Sequence, residues 1–498
     1  MLSRRSAMLT ALSACVIAPH RSWAQPASAV AGEEAGPVTI LRVQRRSIEV
    51  DGKPASMLGI RQPDGTPGLI TEVGKQFRVR VDNELDVPTL IHWHGLTPPW
   101  REDGVPGVSG PPILPGASAE YNFPLRFGGT FWMHSHQGLQ EQELLAAPLI
   151  IRDGRDRPGQ QEVVIMLADF SFTPPEQIYE GLRKRSGMPG MTPTTSSEKA
   201  KSGMGSPPAK AMTAKPGMAG MAKGSASAGP DLNDVKYDAF LANDRTLADP
   251  EVIQVESGGT IRLRVINSSS MSAYHLDLGG LSGKLIAVDG FRVHPVAGQR
   301  FPIAVSQRLD IRIAIPHAPA AHPVLAILEG ERRQTGVILL AGRAPVTRIP
   351  ESASMPSPAL NLDLERRLRA TEPLAPRKAD RVHQIDLTGN MEGYVWSING
   401  VAWNKDVPPL PISKGERVEL VIKNKTLMPH PMHLHGHEFQ VVEIDGRRFP
   451  GAVRDSVLVT PGTRVVIAFD ANNPGWWAFH CHLLYHLDAG MFTTLRYV

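Results

Sequence analysis

One cysteine near the C-terminus lies between two histidines. Residues 480–482 are His-Cys-His, and His486 and Met491 follow within ten residues of Cys481. The other cysteine, Cys15, lies in an N-terminal stretch typical of a removable export signal, so Cys481 has no partner for an intramolecular disulfide. Metal ligation, nucleophilic catalysis and simple burial remain as roles for this thiol. Because imidazole, thiolate and thioether donors together are typical of blue-copper sites, the run favours such a site.

Histidines elsewhere in the chain are paired at a spacing of two residues. With 17 histidines in 498 positions, chance would give about 0.6 such pairs. Alternate residues of a β-strand point to the same face, so each pair can bring two imidazoles to one side of a sheet. Chance is a poor explanation for the five pairs present, which are 92/94, 134/136, 433/435, 435/437 and 480/482.

Strand parity divides these donors into two groups. His480 and His482 point to one face of a strand, and Cys481 points to the other. His430 differs in parity from the 433/435 pair, so it can turn toward the cysteine while the pair turns away. The sequence therefore predicts two separate metal sites that share one strand.

The first predicted site is mononuclear. His430, Cys481 and His486 are its strong ligands, and Met491 is its long axial ligand. The second site gathers eight imidazoles, a number that suits a three-metal cluster. These are His92, His94, His134, His136, His433, His435, His480 and His482.

An internal repeat places the histidine motifs at corresponding points of the chain. Each of three copies has a glycine, an alternating apolar strand, an asparagine and then a histidine motif. The copies begin at Gly74, Gly259 and Gly415. The first and third end in His-x-His-Gly, whereas the second ends in His275-Leu276-Asp277. We expect the middle copy to bind no copper and to act as a spacer and a wall on the substrate side.

The first and third copies differ at the predicted mononuclear site. Ser135 stands where Cys481 stands, and Thr89 stands where His430 stands. The first copy can therefore contribute histidines to a cluster but cannot build a blue-copper site.

Alternating strands bounded by Pro-Gly and Asn-Asn-Pro turns predict an all-β protein built of β-sandwiches. We expect three domains at 35–155, 160–345 and 380–498. The segment 346–379, rich in proline and charge, is predicted to be a linker.

Residues 184–230 interrupt this pattern. They are rich in Gly, Ser, Lys, Pro and Ala and include six methionines, a composition that cannot bury a core. The segment is either a disordered insertion in the second domain or a weak, soft-metal capture segment suited to Cu(I). Its lysines argue against the second interpretation because they repel a cation.

The N-terminal residues 1–24 have the features of an export signal, either twin-arginine or general secretory. Removing them takes away three arginines and no acidic residue from totals of 53 basic and 49 acidic residues, so the mature chain is nearly neutral. No nucleic-acid partner follows from such a charge, and no later segment is apolar enough to span a membrane. We expect a bacterial monomer that is periplasmic or secreted.

Taken together, these motifs resemble those of multicopper oxidases of the laccase-like superfamily, which have three cupredoxin domains of the Greek-key sandwich type. The resemblance covers nearly the whole mature chain. The segments 103–108, 140–142 and 482–486 are most similar to the periplasmic copper-resistance A proteins.

The resemblance implies four copper ions and a role for each ligand. The type 1 copper falls to His430, Cys481, His486 and Met491, and the type 2 copper to His92 and His433. The type 3 pair falls to His94, His134, His136, His435, His480 and His482. Asp103 resembles the family's acid near the cluster, suited to proton delivery, although a solvated turn aspartate is the simpler interpretation.

The implied activity is one-electron oxidation of a reducing substrate at the type 1 copper, with Cys481 relaying electrons to the cluster, where O2 is reduced to water. Cu(I) oxidation in copper tolerance is the favoured activity, with a broad laccase-like phenol oxidase as the alternative. A non-enzymatic copper-sequestering protein, a zinc hydrolase and a cysteine nucleophile are the rival classes. Many relatives carry a glutamate directly after the last histidine ligand. This chain has Leu487 there. Asp488 follows, and strand parity predicts that its side chain points in another direction.

Overall fold

The computed structural model describes residues 37–154, 160–185 and 232–498. The predicted export signal at 1–24 and nearly all of the insertion at 184–230 lie outside the described residues.

Residues 39–152 form two four-stranded sheets packed face to face. One has the order β2-β1-β4-β6 and the other β3-β8-β7-β5. Alternating buried residues of β4, among them Phe77 and Val79, fill the space between the sheets together with Trp93 and Phe131. The strands are β1 (Thr39–Val50), β2 (Lys53–Arg61), β3 (Leu69–Glu72), β4 (Gln76–Asn83), β5 (Ile91–His94), β6 (Ser118–Pro124), β7 (Gly129–Ser135) and β8 (Ala146–Arg152).

Residues 161–341 form a six-stranded and a five-stranded sheet. Their orders are β10-β9-β12-β17-β14-β15 and β11-β19-β18-β13-β16. The helix α1 (Pro175–Arg185) follows β9. The strands are β9 (Gln161–Phe170), β10 (Ala239–Ala242), β11 (Val252–Val255), β12 (Thr260–Asn267), β13 (Tyr274–Asp277), β14 (Gly283–Val288), β15 (Phe291–Gly298), β16 (Arg300–Ile303), β17 (Arg308–Ala314), β18 (Ala320–Leu328) and β19 (Gln334–Ala341).

Residues 381–497 form a seven-stranded and a five-stranded sheet. The first runs β21-β20-β23-β29-β25-β26 with β27 on β25, and the second runs β22-β31-β30-β24-β28. The short helix α2 (Asp363–Arg367) precedes them, and α3 (Leu484–Asp488) lies just before the last strand. The strands are β20 (Arg381–Asn390), β21 (Val395–Ile398), β22 (Leu410–Ile412), β23 (Arg417–Asn424), β24 (His430–Leu434), β25 (Phe439–Ile444), β26 (Arg447–Arg448), β27 (Val453–Arg454), β28 (Ser456–Val459), β29 (Arg464–Asp470), β30 (Trp476–Cys481) and β31 (Phe492–Tyr497).

The predicted all-β fold class is confirmed, because strands dominate all three parts of the described chain. The predicted strand geometry at Asp488 is wrong, since this residue ends α3 instead. None of the helices in the described part of the chain is long and apolar enough to cross a membrane.

Buried ion pairs connect the three parts around the histidines. The Arg308 guanidinium on β17 donates to both carboxylate oxygens of Asp455 in the third part and to the Thr130 carbonyl oxygen in the first. Arg454 in turn bonds Asp289 of the second part, at 2.8 Å. Separating the parts would leave these buried charges without their partners, which is strongly unfavourable. The ion pairs therefore fix how the three parts of the chain meet.

Candidate metal centres

The pairing of β24 with β30 sorts the donors of the third part onto two faces. Met432 lies opposite Cys481, and His433 lies opposite His480. Cys481 therefore shares a face with the even-numbered residues of β24, which include His430, and His480 shares the other face with His433. The helix α3 then turns the chain so that His486 returns to the cysteine side.

On the cysteine side, three donors converge. Cys481 Sγ lies 3.6 Å from His430 Nδ1, and His486 Nδ1 lies 3.2 Å from the same atom. These three donor atoms all lie within 4.8 Å of one another. Met491 is fully buried, and its backbone bonds Cys481 and His486, at 3.0 and 2.9 Å. The structure thus brings all four residues of the predicted mononuclear site to one place.

The rear nitrogens of the two imidazoles are already occupied. His430 Nε2 lies 2.7 Å from Thr426 Oγ1, and His486 Nε2 lies 2.9 Å from Asp234 Oδ2. These contacts leave the two Nδ1 atoms to face the thiol, which is how ligand orientation is set in metalloproteins. Neither partner is predictable from the histidine motifs, and Asp234 lies 252 residues from His486.

On the opposite face, the eight histidines of the predicted cluster meet between the first and third parts. His92 lies opposite His134 in the β5–β7 pair, as His433 lies opposite His480 in β24–β30. Across the interface, His433 Nε2 lies 3.4 Å from His92 Nε2. Within each part, His94 Nδ1 lies 3.4 Å from His134 Nε2, and His435 Nε2 lies 2.9 Å from His480 Nε2.

Two nitrogens of the cluster have no hydrogen-bond partner among the described residues although they are buried. They are His136 Nε2 and His482 Nε2. A buried polar atom without a partner costs about 1–3 kcal/mol. A metal ion that binds the lone pair of each nitrogen would supply the missing partner. The atoms of His136, His435 and His480 also lie within 4.8 Å of one another. The donor chemistry and the spacing of these residues fit bound copper.

Burial sets the protonation state of both sites. Desolvation and repulsion from neighbouring imidazoles hold the pKa of His94, His433 and His435 well below the usual range. Burial also raises the pKa of the Cys481 thiol. These three imidazoles are therefore held neutral and ready to bind a metal, whereas the Cys481 thiol must release a proton when it does so.

Comparisons with known proteins agree with this arrangement. Three family models, each described as multicopper oxidase, match residues 42–156, 161–337 and 376–498. The multicopper oxidase MmcO of Mycobacterium tuberculosis is 30% identical over 98% of this chain and 94% of its own length.

The chain belongs to the multicopper oxidase family.

Two further matches extend the comparison. A copper resistance protein A homolog of Pseudomonas syringae is 26% identical, covering 95% of each chain. The crystal structure of a laccase from Botrytis aclada has a TM-score of 0.70 at 21% identity, covering 92% of this chain and 88% of that one. The first two relatives and the family models establish a copper-dependent oxidoreductase, and the laccase structure establishes the likeness of fold.

Two aspartates hold the histidines of this multicopper oxidase from behind, in a crosswise arrangement. The Asp103 carbonyl oxygen accepts from His92 Nδ1 at 2.8 Å, and its Oδ2 lies 2.9 Å from His435 Nδ1 in the third part. The Asp455 carbonyl oxygen accepts from His433 Nδ1 at 2.8 Å, and its Oδ1 lies 3.1 Å from His94 Nε2 in the first part. Asp103 is fully buried, so the interpretation as a solvated turn residue is wrong.

A third carboxylate also contacts the cluster histidines of the oxidase from behind. Glu141 Oε2 lies 2.8 Å from His134 Nδ1, and its Oε1 lies 3.8 Å from His482 Nδ1. Burial, followed by the nearby Asp169 carboxylate, raises the pKa of Glu141 well above its usual value. In the sequence, the one signal that points to Glu141 is its place in the 140–142 segment.

Other histidines serve the protein frame. His437 is buried, and its Nε2 lies 2.7 Å from Tyr497 Oη. His275 Nε2 lies 3.1 Å from the Pro358 carbonyl oxygen. Both contacts are structural.

Proposed function

We propose that this multicopper oxidase couples one-electron oxidation of Cu(I) to four-electron reduction of O2 to water, and that it serves copper tolerance outside the cytoplasm. Copper bound at the two sites would supply electron uptake at the first and O2 reduction at the second. The proposal rests on the site geometry and on a small cavity beside the mononuclear site.

The ligand roles in this proposal are those that the family resemblance implies, and the contacts among the imidazoles support them. His430, Cys481, His486 and Met491 hold the type 1 copper. His92 and His433, whose Nε2 atoms lie 3.4 Å apart, hold the type 2 copper. The type 3 pair is divided between two groups of three: His94, His134 and His482, whose rings contact one another, and His136, His435 and His480.

Cys481 connects the two sites through the chain itself. His480 and His482 are its covalent neighbours, and His480 Nδ1 lies 2.8 Å from the Cys481 carbonyl oxygen. The route from the mononuclear site to the cluster therefore needs no step through solvent.

Asp103 is the proposed proton donor to the cluster. Its Oδ1 accepts no hydrogen bond from the described residues and lies 3.3 Å from His92 Nδ1, while its Oδ2 lies 2.9 Å from His435 Nδ1. The carboxylate therefore lies directly behind two cluster histidines, where it can pass a proton to the cluster.

The choice of substrate rests on a cavity lined by Pro429 and Pro431, the chain neighbours of His430, and by Asp234, the partner of His486. It measures about 20 Å³, and its lining includes the carboxylates of Asp234 and Glu329 and the side chains of Met271 and Met428. A cavity needs roughly 10–15 Å³ to hold one water, and benzene occupies an engineered cavity of roughly 150 Å³. The space therefore admits an ion or a water molecule but no phenol ring. Thioether and carboxylate groups give it the soft and anionic character that suits Cu(I).

The test measures O2 consumption by the copper-loaded full chain with Cu(I) and with guaiacol, a phenol. The Met271→Leu/Met428→Leu double variant should raise the KM for Cu(I) by about tenfold and leave guaiacol turnover unchanged. Met57→Leu is the matched control, because Met57 packs on a separate hydrophobic cluster. Equal loss with both substrates would contradict the Cu(I) site.

Two outcomes would favour the alternatives. Rapid guaiacol turnover with negligible Cu(I) turnover would favour a laccase-like phenol oxidase, whereas no O2 consumption with either would favour a sequestering protein. Deleting residues 184–230 tests the methionine segment separately. A selective loss of Cu(I) turnover would support its proposed role in Cu(I) capture.

A further inference from the structure

A row of aromatic rings connects His486 to the surface at α1. Trp396 stacks on His486 with ring centroids 4.1 Å apart, and Tyr394 follows at 6.0 Å from Trp396. Tyr179, on α1, lies 6.2 Å from Tyr394. Trp396 and Tyr394 are almost fully buried, whereas Tyr179 is only partly buried. The row therefore has one end at a predicted copper ligand and the other in contact with solvent.

A second contact runs beside the rings. Tyr394 Oη donates to Asp234 Oδ2 at 2.6 Å, and the same oxygen lies 2.9 Å from His486 Nε2. Tyr394 is thus coupled to His486 both by ring packing, at 5.9 Å, and by a shared carboxylate.

Two features of the row carry a cost that packing alone does not explain. Tyr394 adopts φ +48°, a left-handed conformation that costs a bulky residue about 1–3 kcal/mol. The Trp396 indole Nε1 is buried with no hydrogen-bond partner among the described residues, which costs about 1–3 kcal/mol again. A Phe or Leu at position 396 would avoid the second cost. The two costs fall on the two buried rings of the row.

We propose that Tyr179, Tyr394 and Trp396 form an electron relay through which phenolic reductants, docked at Tyr179, reduce the mononuclear copper site. This inference rests on the proposed function, because the copper held by His430, Cys481 and His486 is the electron acceptor. It also assigns phenols a route that the 20 Å³ cavity denies them.

The relay transfers one electron at a time. A phenol at Tyr179 loses one electron and becomes a phenoxyl radical, and its hydroxyl proton passes to bulk water. The electron passes through the three rings and reduces one cupric ion to cuprous at the mononuclear site. The rings end unchanged, and O2 is the final oxidant for successive electrons.

The first test uses the copper-loaded full chain under anaerobic conditions and follows the decay of the blue absorbance. Tyr179→Leu should slow reduction by guaiacol coupled to dextran by about tenfold, because the outer ring is gone, while reduction by Cu(I) changes less than about twofold. Tyr179→Phe keeps the ring but removes the oxidisable phenol, so it should slow reduction by a similar factor. Phe172→Leu is the matched control, since Phe172 is an exposed ring that is 43% accessible and contacts Phe170.

The second test does not depend on copper. The full chain prepared without copper is photo-oxidised by a soluble ruthenium complex, and radicals are detected by electron paramagnetic resonance. The parent protein and Phe172→Leu should show a tryptophanyl signal to which partly exposed tryptophans such as Trp100, Trp403 and Trp476 also contribute. Trp396→Phe should remove the component that belongs to Trp396, and Tyr179→Leu should lose most of that component. An unchanged tryptophanyl signal in Tyr179→Leu, or unchanged reduction by the dextran-bound phenol, would overturn the relay. A chain that passes this second test but consumes no O2 when loaded with copper would refute the proposed function alone.

Discussion

The first and third repeats fold the same corner of a sandwich around different side chains. Ser135 N donates to the Leu145 carbonyl oxygen at 3.0 Å, and Cys481 N donates to the Met491 carbonyl oxygen at the same distance. The asparagine turn beside them also matches. Asn83 Nδ2 bonds two carbonyl oxygens in the first repeat, as Asn424 Nδ2 does in the third.

At the place of the mononuclear site, the first repeat has a hydrogen-bonded group of three polar residues. Thr89 Oγ1 donates to Gln140 Oε1 at 2.8 Å, and Ser135 Oγ donates to the same oxygen at 2.7 Å. Gln140 is five residues after Ser135, the same interval that separates His486 from Cys481, and Leu145 corresponds to Met491 in the same way. The two repeats therefore share their backbone geometry, and four side chains decide whether this corner can bind copper.

The two crosswise aspartates differ in a similar way. Asp455 is paired with the Arg308 guanidinium, whereas the Asp103 carboxylate contacts His92 Nδ1 and His435 Nδ1. The ion pair ties Asp455 to the frame of the protein, and the proposed proton transfer is left to Asp103.

The largest predicted effect comes from giving the third repeat the serine of the first. Cys481→Ser should abolish the blue absorbance and lower oxidation of Cu(I) and phenol by more than about a thousandfold, because no thiolate remains to bind copper or relay electrons. Absorbance and copper content measure this, and most of the copper in the cluster should remain. Ser135→Cys alone should create no blue band. A blue Cys481→Ser protein would contradict the assignment.

The two aspartates should separate chemistry from stability. Asp103→Asn should slow O2 reduction by about a hundredfold while leaving anaerobic reduction of the blue site unchanged. Asp455→Asn should instead lower the free energy of unfolding by about 3–5 kcal/mol, because the Arg308 charge loses its main partner. Stopped-flow reoxidation and denaturant unfolding provide the measurements. A similar effect of both variants on reoxidation would remove the distinction.

Thr426 corresponds to Leu85 of the first repeat, so Thr426→Leu makes this position the same in both. The variant removes the contact between Thr426 Oγ1 and His430 Nε2, and copper affinity at the mononuclear site should fall about 10–100-fold. Competition with a copper chelator, followed by the blue absorbance, measures this. Leu85→Thr is the control and should leave affinity unchanged.

The polar group of the first repeat should contribute to stability alone. Gln140→Leu leaves the hydroxyls of Thr89 and Ser135 without their shared acceptor and should cost about 1–3 kcal/mol of unfolding free energy. Denaturant unfolding measures this. The blue spectrum should not change, and a shift in it would show that the two corners are coupled.

The smallest predicted effect is the pH dependence of the cavity beside the third repeat. Burial raises the pKa of Glu329 to about 7. Above that pH its carboxylate is anionic and attracts a cation, so the KM for Cu(I) should fall as pH rises through about 7. Because burial raises the pKa of Glu329 in the folded protein, its contribution to the free energy of unfolding is complete at low pH and is lost as the pH rises through about 7. Steady-state kinetics against pH should show that Glu329→Gln removes the KM change, and an unaltered profile would contradict the role of this residue.

Local spacing made much of this molecule predictable. The i,i+2 histidine pairs define which imidazoles share a face, and the alignment of Ser135 with Cys481 limits the mononuclear site to the third repeat. Both depend on strand geometry, which is a short-range property of the chain. The strand expectation failed at Asp488 because the five residues of α3 change the direction of the chain after Cys481.

The residues around the ligands could not be predicted, because tertiary structure alone brings them together. Asp234, Asp455 and Glu141 are ordinary acids in the sequence, and only the packing of the three parts aims them at rear nitrogens of the histidines. The cavity and the aromatic row depend on contacts between residues more than 150 positions apart, such as Tyr179 and Tyr394. Residue types and their spacing are enough to identify the side chains that can bind metal. Which nitrogen faces inward and which carboxylate lies behind each histidine follow only from the folded chain, because both depend on burial and distance across separate sheets.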